Sequence, residues 1–233
     1  MDAGDLAAEL AHRLRTAADP ARARGAQAYM KTSDPFFGVG AVPLRRILRD
    51  LAGRSAPASQ ADYLAQVAAL WDIPEREGRY AAVDWARRFR PFITVEALSG
   101  YERMIREGAW WDTVDAIAAH LVGRLLLEHR ARLGPVMESW IQDPDPWIRR
   151  AALLAHLKHR GATDRSQLFA HCLRLAPEKG FFLRKAIGWS LREYSKTAPG
   201  DVRAFLETHP GTFSGLSVRE ALKVLDRGPG TKK

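Results

Sequence analysis

Trp110-Trp111-Asp112-Thr113-Val114-Asp115-Ala116-Ile117-Ala118-Ala119-His120-Leu121-Val122 is the stretch on which the fold turns. It opens an apolar helix with two tryptophans and two carboxylates, a mixture that packing alone does not require. Trp111 and Asp115 are four apart and so share one helix face. Ala116 belongs to a column that recurs at a period of 35: Ala81, Ala116, Ala151, Ala186 and Ala221. The next column is apolar throughout, with Ala82, Ile117, Ala152, Ile187 and Leu222. Helix pairs of about 35–47 residues are the mark of an α-solenoid of HEAT or TPR type. The small alanine lets successive inner helices stack closely.

The repeat also serves as a ruler. With the position before the alanine at zero and about 100° per residue, Ile117, Leu121, Ile187 and Leu191 fall near 200–240°. That is the side facing the outer helices. The zero column is Tyr80, Asp115, Arg150, Lys185 and Glu220. It is polar or aromatic and is expected to point away from the core, into the concave surface. Trp111, Trp189 and Arg192 lie within about 40° of it on the same ruler. So Trp111, Asp115, Arg150, Lys185, Trp189 and Arg192 are expected in one groove. A tryptophan at helical spacing is usually core, and Trp71, Trp85, Trp140 and Trp147 fit that reading. For Asp115 the plain alternative is a salt bridge to Arg150 or Lys185. Asp112, in the first turn, reads as a dipole partner of its helix.

Outward from this stretch, helix formers dominate the 233 residues and strand-like alternation is nearly absent. The pattern predicts helices at roughly 3–17, 20–31, 43–52, 59–71, 75–89, 94–107, 110–129, 131–142, 146–160, 165–176, 181–196, 199–208 and 215–227. Asp34-Pro35-Phe36-Phe37-Gly38-Val39-Gly40 is the one long irregular linker. The expected fold is all-α: an α-solenoid of HEAT-like helical repeats with a concave basic groove. A single domain is expected over 1–227, with a disordered basic tail at 228–233.

The net charge of +9 and a pI of about 10.0 favour an anionic partner, nucleic acid before a membrane surface. No apolar run reaches the roughly 18 residues of a membrane helix, and the acidic N-terminus lacks a signal-peptide pattern. One cysteine, Cys172, rules out an internal disulfide and suits a reducing cytosol. It reads as plain packing. The seven histidines are scattered. His156 and His159 are three apart, with no cysteine or carboxylate close in sequence to complete a metal site. No P-loop, dinucleotide fingerprint or nucleophile elbow occurs. Arg45-Arg46 follows a glycine-rich linker and Pro43 at a helix start, where amide donors and cations can meet a phosphate.

Six blocks in order carry a resemblance: Ala28-Tyr29-Met30-Lys31, Pro43-Leu44-Arg45-Arg46, Leu70-Trp71-Asp72-Ile73-Pro74-Glu75-Arg76-Glu77, Trp110 to Asp115, Trp147 to Ala152, and Lys185-Ala186-Ile187-Gly188-Trp189-Ser190-Leu191-Arg192-Glu193-Tyr194. Together they resemble the AlkD-like family of DNA alkylation repair glycosylases, from about residue 20 to 225. The resemblance implies a HEAT-like solenoid around duplex DNA. It implies a monofunctional glycosylase that removes cationic N-alkylated purines such as 3-methyladenine and 7-methylguanine. Members of this type act without drawing the lesion into a pocket, unlike most base-modifying enzymes.

The family's catalytic carboxylate then falls on Asp115 and its cleft tryptophans on Trp111 and Trp189. The groove arginine falls on Arg150, the tyrosine on Tyr29 and the phosphate-contacting arginines on Arg45 and Arg46. Lys185 and Arg192 join them as expected phosphate holders. No cofactor or metal is expected. The expected partner is duplex DNA with alkylated bases, the expected state a cytoplasmic monomer without membrane attachment. The competing readings are a non-catalytic HEAT-like scaffold for nucleic acid or protein and an RNA-binding helical repeat. The scaffold explains the repeats and the charge but not two groove tryptophans around a carboxylate.

Overall fold

A computed structural model of the chain describes residues 1–225. The expected end of the last helix and the tail at 228–233 lie outside the described residues. Among those described, the fold is all-α. No helix there is long and apolar enough to cross a membrane. The chain falls into two compact units, one of Met1–Gly100 and one from Tyr101 onward.

The first unit holds α1 (Ala3–Thr16), α2 (Pro20–Met30), α3 (Ala41–Ser55), α4 (Gln60–Trp71) and α5 (Arg76–Arg88). Leu6, Leu10 and Leu14 make one fully buried stripe along α1, as spacing of four requires. Asp19 caps α2 by accepting from the N–H groups of Ala21 and Arg22, and Pro20 takes the first helical position. The linker 34–40 is irregular as expected, but one buried side chain holds it. The carboxylate of Glu77 accepts from the N–H groups of Phe37, Gly38 and Val39 at 3.1, 2.8 and 3.0 Å. Gly38 has a φ of 80°, and a Cβ there would lie 2.1 Å from the Asp19 carbonyl oxygen. Only glycine fits. Asp34, at the start of the linker, pairs with Arg76 at 2.5 Å and Arg79 at 2.9 Å.

The second unit holds α6 (Leu98–Gly108, bridging the boundary), α7 (Trp111–Ile117), α8 (Gly123–Glu128), α9 (Arg130–Trp140), α10 (Pro146–Leu154), α11 (Arg165–Leu175), α12 (Phe181–Ser195), α13 (Pro199–Thr208) and α14 (Gly215–Leu222). Helices α7, α10, α12 and α14 pack in sequence, and α9, α11 and α13 back them. This is the stacking of helix pairs expected of a solenoid. Ala81, Ala151, Ala186 and Ala221 are fully buried. Ala116 is only half-buried. The helix that carries it widens to π geometry over Ala118–Val122 before continuing as α8, so a constant 100° ruler fails beyond it.

Candidate functional site

The chain enters α7 through a sharp corner. α6 ends at Gly108, Ala109 takes a φ of 35°, and Trp110 is extended. Trp111 is therefore the first helical residue and Asp115 lies one turn on. Thr113 fastens the corner by donating its hydroxyl to the Trp110 carbonyl at 3.2 Å. Asp112 accepts from the Thr113 N–H at 3.0 Å, a contact confined to the first turn.

Trp111, Asp115, Arg150, Phe181, Phe182, Lys185, Trp189, Arg192 and Glu220 line one pocket of about 380 Å³ in the second unit. All six groove residues expected from the repeat ruler are among them. Trp111 and Trp189 are half-buried there. The zero column differs from expectation in one respect. Arg150 and Glu220 retain only 4 % and 3 % exposure, so the column is not a free surface. Its members satisfy one another across the stack. Arg150 donates Nε and Nη2 to the two oxygens of Asp115 at 2.7 and 2.8 Å. Its Nη1 donates to the Phe182 carbonyl. One full repeat separates Asp115 from Arg150, and one full repeat separates Lys185 from Glu220, which meet at 2.6 Å.

The fork-shaped guanidinium fixes the Asp115 carboxylate in one orientation. Burial raises the proton affinity of Asp115 above that of an ordinary aspartate, and Arg150 opposes the shift. Each carboxylate oxygen can accept more than one hydrogen bond, so the pair with Arg150 still leaves acceptor capacity. Arg150, expected to hold a phosphate, is committed to Asp115 and the backbone of α12. Lys185 and Arg192 both contact Glu220.

Two aromatic residues of the pocket went unread in the sequence. Phe181 is 55 % exposed and Phe182 is half-buried. Their rings meet edge to face at 5.4 Å. The ruler could have found them: Phe181 stands two periods of 35 after Trp111, in the same column. Trp147, expected in the core, is half-buried. It lies 5.1 Å from Phe182, and Trp110 lies 5.2 Å from the same ring. Trp147 is the second residue of α10, just after its Asp145 cap. The Arg150 guanidinium lies 5.9 Å from the Phe182 ring centroid. Trp71, Trp85 and Trp140 are buried as expected.

Tyr29, Arg45 and Arg46 belong to the first unit. Tyr29 is 74 % exposed on α2. Arg45 and Arg46 are exposed in the first turns of α3, and the Arg45 Nε stands 3.8 Å from Asp84. Among the described residues no group of histidine, cysteine and carboxylate side chains could hold a metal ion. Cys172 is fully buried, and burial pushes its thiol far above the ordinary value.

A pocket walled by aromatic faces around a fixed carboxylate suits a flat cation. Comparison with known proteins identifies the family. The family model for the DNA alkylation repair enzyme matches residues 10–225. The chain is similar to a solved structure described as a predicted DNA alkylation repair enzyme from Enterococcus faecalis, at 28 % identity and a TM-score of 0.82. The alignment covers 90 % of this chain and 97 % of that one. No curated protein matches it. This chain belongs to the DNA alkylation repair enzyme family.

Proposed function

We propose that the protein is a monofunctional DNA glycosylase that hydrolyses the N-glycosidic bond of cationic N-alkylpurines, such as 3-methyladenine and 7-methylguanine, in duplex DNA. The observation that carries the reading is the partly buried Asp115 carboxylate, oriented by Arg150 and sharing its pocket with Trp111, Trp189 and Phe182. Alkylation at N3 or N7 makes the purine cationic and its bond to C1′ weak. The bond breaks, and its electron pair leaves with the base and quenches the base's charge. An oxocarbenium-like sugar remains. Ionised Asp115 stabilises that cation and orients water, whose oxygen bonds to C1′ while its proton passes through Asp115 to solvent. The chemistry parallels glycoside hydrolysis, with little need for an acid because the leaving base departs neutral. The aromatic faces attract the cationic nucleoside by roughly 0.5–2 kcal/mol per contact. Neutral lesions lack that attraction and are poor substrates under this reading.

A second reading has one observation in its favour. Both oxygens of Asp115 contact a single guanidinium, as in a purely structural ion pair. The reaction distinguishes the two. Asp115→Asn leaves a buried Arg150 without its counter-charge and costs about 3 kcal/mol of stability. Under the catalytic reading, the folded fraction of this variant binds duplex but releases 7-methylguanine from methylated duplex at least about a hundredfold more slowly. Release per folded molecule equal to that of the wild type leaves Asp115 a structural residue. A wild type that binds alkylated duplex tightly and frees no base is a scaffold.

A further inference from the structure

The second carboxylate of the pocket takes no part in that chemistry. Glu220 is 3 % exposed, yet it gathers three cations. Lys185 Nζ and Lys223 Nζ donate to its Oε2 at 2.6 and 2.8 Å, and Arg192 donates to its Oε1. Lys185 and Arg192 come from α12, and Lys223 from the turn after α14. The carboxylate lies underneath while the cations reach outward. The side chains of Lys185, Arg192 and Lys223 keep 35 %, 23 % and 52 % exposure. Three cations around one carboxylate leave an excess of positive charge beside the pocket. The sequence permits the arrangement through Gly188. A Cβ there would lie 2.4 Å from the Glu220 Cβ and 2.6 Å from the Ser217 carbonyl oxygen. Without a side chain at 188, α14 comes close enough to insert its carboxylate beneath the α12 cations.

We propose that Glu220 is a positioning residue that pre-assembles Lys185, Arg192 and Lys223 into a clamp for a DNA phosphate beside the pocket. The proposal rests on duplex DNA being the partner, as read above, and adds Lys223 to the residues that meet it. Long cationic side chains normally lose much freedom on binding an anion. Here the bonds to Glu220 already restrict them in the free protein. Burial opposes the charge on Glu220, but its cations outweigh burial and hold its acidity near a pKa of about 2. The anchor stays ionised at any working pH. Glu220 also competes with a phosphate for the same donors, but one carboxylate cannot neutralise three cations.

The test is binding of undamaged duplex by fluorescence anisotropy across a salt series, with thermal unfolding run beside it. No base release is needed. Lys223→Ala leaves Glu220 two partners and is expected to unfold as the wild type does. Its salt slope should be shallower by about 0.9, the contribution of one phosphate contact. Glu220→Gln should weaken binding about tenfold at moderate salt, on the order of one strong charged contact. It should have little further effect in a Lys185→Ala, Arg192→Ala background, since it acts through those residues. Unchanged or tighter binding by either folded variant overturns the clamp. If Glu220→Gln fails to fold, the slope of Lys223→Ala decides alone. A wild type that binds duplex through this clamp yet frees no base sinks the glycosylase reading and supports the clamp. A wild type that does not bind duplex overturns both.

Discussion

Trp85 and Trp111 are the same residue with opposite surroundings. Trp85 is fully buried, and its indole N–H donates to Gln66 at 3.0 Å. Trp111 is half-buried on the pocket wall. Trp85→Ala is expected to cost about 3–5 kcal/mol through lost transfer energy and a cavity. Trp111→Ala and Trp189→Ala should each cost about 1 kcal/mol, because part of each ring is already in water. Release of a cationic base should drop in those two variants. Denaturant unfolding of the three, run beside base release, reads both quantities. Equal destabilisation by all three would remove the aromatic wall from the mechanism. At this scale the sequence shows position better than commitment. The ruler placed Arg150 in the groove, and it is there. That its guanidinium is consumed by Asp115 follows from a partner one repeat away and from burial, neither of which a local window contains. Phe181 and Phe182 precede the alanine column by about one turn, where an aromatic pair at a helix start reads as ordinary packing.

Elements were legible where the pattern was periodic and obscure where the backbone left it. The column of alanines located the inner helices, and the predicted span 146–160 ends as α-helix at Leu154, followed by a 3₁₀ turn over Ala155–Lys158. Nothing in the composition of Ala118–Val122 announces a π turn. The 3₁₀ turn carries His156 into a buried cluster. Its ring lies 5.6 Å from those of both His159 and His171. His171 meets Glu138 at 2.9 Å, and the His159 Nε2 donates to the Gly123 carbonyl at 2.7 Å. Neither ring nitrogen of His156 has a hydrogen-bond partner. The cluster was invisible from spacing because His171 comes from α11. Burial lowers the proton affinity of all three, with Arg130 adding to the effect on His156 and His159, and Glu138 and Asp164 opposing it on His171. The unfolded chain therefore takes up protons first. This contribution to stability is present above the ordinary histidine value of about 6.5 and is lost as pH falls below it. The loss reaches at most about 1.4 kcal/mol per histidine per pH unit. His156→Leu should flatten the fall in melting temperature between pH 7 and 5. An acid limb as steep as that of the wild type would clear His156 of responsibility.

At the scale of the whole molecule, a net charge of +9 predicts duplex affinity that falls steeply with salt, as neutralised phosphates release counterions. Arg45→Ala with Arg46→Ala should reduce the slope of log affinity against log salt by roughly two, at about 0.9 per phosphate contact. Filter binding at three salt concentrations suffices, and an unaltered slope would remove both arginines from the interface. Helix content and stacking were readable because each inner helix repeats the same small residue. The charged column beside it is readable as polar, and the pairing of Asp115 with Arg150 stands there as the plain alternative, whereas that of Lys185 with Glu220 does not. Its order in the second unit is Asp115, Arg150, Lys185, Glu220, so opposite charges meet at the outer two junctions and like charges at the middle one. The copies have therefore ceased to be interchangeable. Exchanging α10 with α14 in an engineered permutation would set Glu220 against Asp115 and leave Arg150 beside Lys185 alone, without its carboxylate. Each inner helix has one permitted address, written by its neighbours' charge, although a common alanine makes them look like equivalent parts.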